Sequence, residues 1–205
     1  PWPTPGRRGR RISSMKHAPI VLMLLACTAC QRAPERSAEV DRLLRGMNDR
    51  LVVMRDVARW KWAHEAPIED PEREASSLED VAEKGRAFGL DPEATRAFFE
   101  AQIEAAKLVQ REYFRRWREG EPLPEGEIPD LKTEIRGRID ALNRDLLEAL
   151  PAALARLSDG DDPARSLESP AKRLLTADGI EGETRETALK PLLMLAGRKR
   201  AAGVR

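Results

Sequence analysis

Residues 40–63, VDRLLRGMNDRLVVMRDVARWKWA, decide the fold. Apolar side chains recur at Val40, Leu43, Leu44, Met47, Leu51, Met54, Val57 and Ala58, spacings of three and four that line one face of a helix. A stripe sustained to about Ala63 makes this a long first helix. Two charges interrupt it. Arg50 and Lys61 are eleven residues apart, about 1100° of rotation, so they project within about 20° of each other, on or beside the apolar stripe. Their Cα atoms would lie roughly 16 Å apart, a gap across which two long side chains could grip a small anion. The alternative is that both snorkel from the edge of the stripe and keep their charged heads in water.

Outward from this helix the punctuation is regular. APIED (residues 66–70) ends it with a proline, and Asp70-Pro71-Glu72 then offers an N-cap, a proline at the first helical position and an acid in the first turn. The second helix should run to Phe88 and stop at Gly89. Asp91-Pro92-Glu93 repeats the start signal for a third helix carrying Phe98, Phe99, Ile103, Val109, Tyr113 and Trp117. REGEPLPEGEIPD (residues 118–130) reads as a loop, after which Asp130 caps a fourth helix with Ile135, Ile139, Leu142, Leu146, Leu150 and Leu154. SDGDDPARSLESP (residues 158–170) reads as a break, followed by two shorter helices around 170–176 and 183–196. No strand alternation and no solenoid-length repeat is present. The expected fold is all-α, a single-domain bundle of about six helices.

At 205 residues with 35% charged and 4% aromatic side chains, the chain suits a helical protein with a Leu/Ala core. The net charge of +1 conceals an asymmetry. Residues 1–29 hold five basic side chains (Arg7, Arg8, Arg10, Arg11, Lys16) and no acid, and without them the body stands at −4. A mildly acidic body without basic tracts argues against nucleic acid as partner.

The N-terminal segment reads as an export signal. With Met15 as initiator, Lys16 supplies the positive charge and APIVLMLLACTA (residues 18–29) an apolar run too short to span a bilayer. LLAC and CTAC both resemble the lipobox of bacterial lipoproteins; Cys30 is the expected lipidation site, with Cys27 the alternative, and ordinary signal-peptidase cleavage or a weak twin-arginine signal at RRGRRISS the further options. The resulting division is a leader (1–29), a tether (30–39), the functional domain (40–197) and a tail (198–205). Both cysteines precede residue 31, so the body has no internal disulfide and no cysteine nucleophile or metal ligand.

Further polar residues sit where apolar ones are expected. The third helix repeats the anomaly with Gln110 in a seam of Phe99, Ile103, Ala106, Tyr113 and Trp117, where a buried amide needs partners for both its atoms. It either bonds a neighbouring helix or faces a ligand. Arg136 flanks the stripe of the fourth helix. Asp70 needs no function beyond capping, because Asp91 does the same, but Arg73 occupies a first turn where the macrodipole disfavours a cation and where the second start signal has Ala94. His64 stands alone as a surface residue. No Ser-His-Asp set, metal cluster or glycine-rich phosphate loop is recognisable.

NDRLVVMRDVARWKW (48–62), PIEDPERE (67–74), FFEAQIEAAKLVQ (98–110) and IPDLKTEIRGRIDALN (128–143) together resemble the exported, all-helical class of chorismate mutases. The match runs in order from about Val40 to Leu150. The resemblance implies conversion of chorismate to prephenate by a Claisen rearrangement that needs no metal, nucleophile or redox cofactor, only positioning and preorganised donors. It implies that Arg50 binds a carboxylate, that Lys61 and Gln110 donate to the ether oxygen, that Arg73 and Arg136 orient the carboxylates, and that Asp70 and Glu74 serve the ring hydroxyl. Ala106 and Ser77 stand where relatives often carry Ser or Thr and Gln. It also implies a homodimer with each site inside one chain, and contact with a membrane only through a lipid anchor. The alternatives are a non-catalytic helical lipoprotein that binds a partner and a degenerate mutase that binds a dianion without turning it over. An amide at 110 donates at any ordinary pH, which predicts a flat rate profile from mildly acidic to mildly alkaline conditions.

Overall fold

The computed structural model describes residues 28–160 and 162–203, with side chains from 38 to 198 apart from residue 161. α1 (Thr28–Val52) and α2 (Met54–Ala63) are joined through Val53 alone, which keeps right-handed helical dihedrals (φ −62°, ψ −21°), so the two run on as the long first helix. α3 (Pro71–Gly85) continues into a 3₁₀ turn (Arg86–Phe88) and ends at Gly89, whose φ of +71° is the left-handed conformation that glycine adopts without steric cost. α4 (Pro92–Arg118), a π turn (Leu131–Ile135) leading into α5 (Arg136–Asp159), α6 (Pro163–Leu174) and α7 (Gly182–Gly203) complete an all-α bundle. With α1 and α2 counted as one rod, six helices are present among the described residues.

The Asp-Pro starts act as capping chemistry requires. Asp70 accepts the backbone N–H of Arg73 at 3.2 Å and Asp91 that of Ala94 at 2.8 Å. Asp130 accepts those of Lys132 and Thr133, at 2.9 and 2.8 Å. Each bond satisfies an amide that the helix itself leaves unpaired. The core lies where α5 packs on α1 and where α4 is sandwiched by α2, α3 and α7. Leu43, Leu44, Met47, Leu51, Phe98, Phe99, Ile135, Leu146, Leu147 and Leu150 are fully buried in it.

Three boundaries differ from expectation. α6 begins at Pro163 rather than near Pro170, because Asp162 caps it through the Arg165 N–H at 3.1 Å, a third Asp-Pro start. Pro170 sits inside that helix, where buried Leu167 and Ala171 hold the turn despite the lost backbone donor. α7 reaches Gly203, beyond the end expected near Ala196. The backbone from Thr28, expected as a tether from residue 30, belongs to α1; its Ala, Gln, Arg and Glu are good helix formers, while Pro34 inside it removes one backbone donor. Cys27 lies outside the described residues, as does the Cys30 side chain. Among the described residues no helix is long and apolar enough to cross a membrane.

Candidate active site

The two charges of the first helix do not snorkel. Arg50 is 6% exposed, its Nε donating to Asn143 Oδ1 at 3.0 Å and its Nη1 to the Gln102 carbonyl at 2.9 Å. Both acceptors are neutral, and among the described residues no carboxylate comes within ion-pair distance. Burial in this low-dielectric setting pulls the guanidinium pKa down to about 10. Lys61 is also buried, and its Nζ donates to the Ile68 carbonyl at 2.5 Å. Desolvation lowers its pKa, while Asp70, Glu74 and Glu69 act in the opposite direction and Arg136 lowers it further. Between the two cations the stripe presents Met54 and Val57.

Gln110 faces them from α4. Its Nε2 donates to the Ala106 carbonyl at 3.1 Å and lies 3.7 Å from Met54 Sδ, a weak acceptor, while its Oε1 is buried without a partner. Of the two readings of this amide, full pairing by a neighbouring helix is not what the structure shows.

The start of α3 supplies the opposite wall. Asp70 caps the helix and, in turn, its own N–H donates to Glu74 Oε1 at 3.1 Å, closing a reciprocal capping loop. Asp70 lies 4.0 Å from Arg136 at the start of α5, and Arg73 lies 3.6 Å from Asp140 one turn further along α5. Two ion pairs thus lace the starts of α3 and α5 together. Glu74 Oε2 accepts from Lys107 of α4 at 3.1 Å.

These walls enclose a cleft of about 830 Å³ of empty space, its open mouth included. Arg50, Lys61, Asp70, Arg73, Glu74, Ser77, Ala106, Gln110 and Arg136, the nine residues expected at a site, all line it. The rest of the lining is largely aliphatic, with Val57, Leu78, Val81, Ile103 and Ile139 among it. Of the five cationic side chains that line it, Arg73, Arg136 and Lys107 are ion-paired, with Asp140, Asp70 and the pair Glu74 and Glu104, whereas among the described residues Arg50 and Lys61 have no carboxylate within ion-pair distance. Such a site attracts an anion bearing more than one negative charge.

Two polar lining residues went unnoticed in the sequence. Asn143 holds Arg50, and its signal was its position seven residues after Arg136, about 700° and hence nearly the same face of α5. Lys107 stands three residues before Gln110, on the same face of α4. His64, expected at the surface, is exposed and stacks on Trp60 with ring centroids 4.0 Å apart. Trp62 packs edge-on against Phe114 and Trp117.

A family model described as chorismate mutase type II matches residues 35–111. The monofunctional chorismate mutase of Enterobacter agglomerans is 32% identical over 133 residues, 64% of this chain and 71% of that protein. The chain belongs to the chorismate mutase family. The secreted chorismate mutase of Yersinia pestis is 29% identical over 137 residues, 66% of this chain and 73% of that protein. In solved structures, the chorismate mutase from Burkholderia thailandensis shares 36% identity with a TM-score of 0.66, covering 75% of this chain and 98% of its own. The span of the family model contains the contributions of α1 to α4 to the cleft. Arg136 and Asn143 of α5 lie beyond it.

Proposed function

We infer that this chain is a chorismate mutase, converting chorismate to prephenate. The observation that carries the reading is a buried, uncompensated Arg50 sharing one aliphatic cleft with Lys61, Arg73 and Arg136. A protein keeps a desolvated cation without a counter-charge at a cost of several kcal/mol, and a bound anion removes that cost.

The reaction is intramolecular: the ether C–O bond breaks as a C–C bond forms, with no proton, electron or group supplied from outside. The protein must fold a dianion into a compact chair and stabilise the negative charge that grows on the ether oxygen. We assign the carboxylates to Arg50, Arg73 and Arg136. Lys61 has three N–H donors and spends one on the Ile68 carbonyl, leaving two for the ether oxygen and a carboxylate. Gln110 spends one Nε2 hydrogen on the Ala106 carbonyl, and the other, near Met54 Sδ, is free to exchange that weak contact for the ether oxygen. Asp70 and Glu74 accept from the ring hydroxyl side. Ala106 offers only its methyl to the substrate, and Ser77 offers a shorter donor than the Gln expected of relatives.

The family resemblance implies a homodimer as the assembly, with each site lined within one chain as this cleft is. Secreted relatives and the leader-like residues 15–29 support export, with lipidation at Cys30 or Cys27 as the anchor. The activity is tested by incubating the purified protein with chorismate and identifying the product by NMR. Stoichiometric prephenate supports the assignment; unchanged chorismate in the presence of folded protein refutes it.

A further inference from the structure

Of the five cations that line the cleft, Lys107 has no role in the assignment above. It is not a surface lysine that happens to meet an acid. The Lys84–Asp80 and Lys172–Glu168 pairs each span one turn of a single helix, with both partners more than half exposed. Lys107 instead bridges two helices and 33 residues, with its side chain 11% exposed and Nζ 3.1 Å from Glu74 Oε2 and 2.5 Å from Glu104 Oε1. Burial works against its charge, but the hydrogen bonds to Glu104 and Glu74 more than offset this and raise its pKa.

Glu74 is consequently gripped from two elements. One oxygen takes the Asp70 N–H and the other the Lys107 ammonium, which fixes its rotamer while each oxygen keeps a further lone pair. A carboxylate on the wall of a site for a dianion would repel the ligand unless its charge were balanced. Asp70 has Arg136 at 4.0 Å for that purpose. Glu74 has Lys107.

We propose that Lys107 is a positioning residue: it holds the Glu74 side chain across the α3–α4 seam as an ion-paired hydrogen-bond acceptor for the hydroxyl side of the substrate. The wall then takes a hydrogen bond without repelling the dianion. This rests on the mutase reading, and the effect belongs to substrate capture more than to the bond-breaking step.

The test compares wild type, Lys107→Met, Lys107→Arg, Glu74→Gln and the Lys107→Met/Glu74→Gln double variant in chorismate turnover, with circular dichroism and thermal midpoints alongside. Lys107→Met should raise KM about tenfold and change kcat less than about threefold, the cost of one unbalanced charge at a partly buried site. Lys107→Arg should recover most of the KM, because a guanidinium reaches the same two carboxylates. The double variant should bind no worse than Glu74→Gln alone, since the amide leaves no charge on the wall and Glu104, half exposed, is hydrated once Lys107 is gone. A wild-type KM in Lys107→Met, additive losses in the double variant, or failure of Arg to recover KM in a normally folded protein would each overturn the proposal. An inactive wild type would instead refute the mutase reading, and the proposal would fall with it.

Discussion

The long first helix buries a cation on each of two faces, and the two are held in opposite ways. Arg50 and Arg59 are nine residues apart, about 900° of rotation, so they point to opposite sides of the rod. They are 6% and 5% exposed. Arg59 has a counter-charge and two acceptors: its Nη2 donates to the carbonyls of Pro124 and Gly126 at 3.1 and 2.9 Å and Asp56 lies 3.9 Å from Nη1, with only its Nε buried without a partner. Arg50 has two neutral acceptors and no counter-charge. Burial of a charge is therefore no mark of a site by itself. What separates the faces is whether the fold has already supplied the partner. Arg59 pins the α4–α5 loop, while Arg50 and Lys61 leave positive potential in a cleft that a dianion completes.

The contrast orders the expected effects of substitution. Lys61→Ala removes a donor aimed at developing charge, and kcat for chorismate should fall a hundredfold or more, about 3 kcal/mol, with helical content unchanged. Retention of most of the turnover would remove Lys61 from the mechanism. Arg50→Met should lower kcat/KM by roughly the same order or somewhat less, yet leave the thermal midpoint unchanged or higher, because an apolar side chain relieves an unbalanced buried charge. A large drop in the midpoint would mean that Arg50 serves the fold as Arg59 does. Arg59→Ala should cost about 2 kcal/mol of stability through two lost charge-assisted hydrogen bonds, read by denaturant unfolding, with kcat/KM changed only severalfold. Asp70→Asn keeps a capping side chain and loses only the charge, so a modest fall in kcat/KM is expected at constant stability, whereas Asp91→Ala should lower stability by about 1 kcal/mol at constant activity.

Gln110 and Lys61 respond to pH differently. Gln110 donates at any pH, so the rate should stay flat through neutrality. Lys61 must be protonated to donate, and desolvation depresses its pKa below that of an ordinary lysine. The active form is thus lost as pH rises through that lowered value, giving an alkaline fall in kcat/KM at a lower pH than an exposed lysine would produce. A bound dianion favours the ammonium, so kcat should hold to higher pH than kcat/KM. A fall already complete at neutrality would place the titration elsewhere.

Much of the architecture was legible because its signals are local. Asp70, Asp91 and Asp130 announce their helices within three residues, and the stripe from Val40 to Ala58 needs only helical periodicity. Asp162-Pro163 carries the same signal, but Ala-Arg follows it instead of an acid, and Pro170 is the more conspicuous breaker. In the cleft, spacing singled out Arg50, Lys61, Gln110 and Arg136 as charges and amides on apolar stripes, the macrodipole singled out Arg73 as a cation in a first turn, and family likeness added roles for Asp70, Glu74, Ser77 and Ala106. All nine line one cavity. Asn143, Lys107 and Arg59 escaped because what defines them is distant. Asn143 bonds a residue 93 positions away, and Arg59 bonds a loop more than 60 positions away. No window of sequence contains both halves of such a pair.

The most direct test sets the two faces side by side: kcat/KM for chorismate and the thermal midpoint of Lys61→Ala and Arg59→Ala, measured under one set of conditions. The prediction is a crossing, with Lys61→Ala losing at least about a hundredfold in activity at a near wild-type midpoint, and Arg59→Ala losing stability while remaining within about tenfold of wild-type activity. Parallel losses in the two variants, or an active Lys61→Ala, would contradict the claim that only the cleft face of this helix carries the reaction.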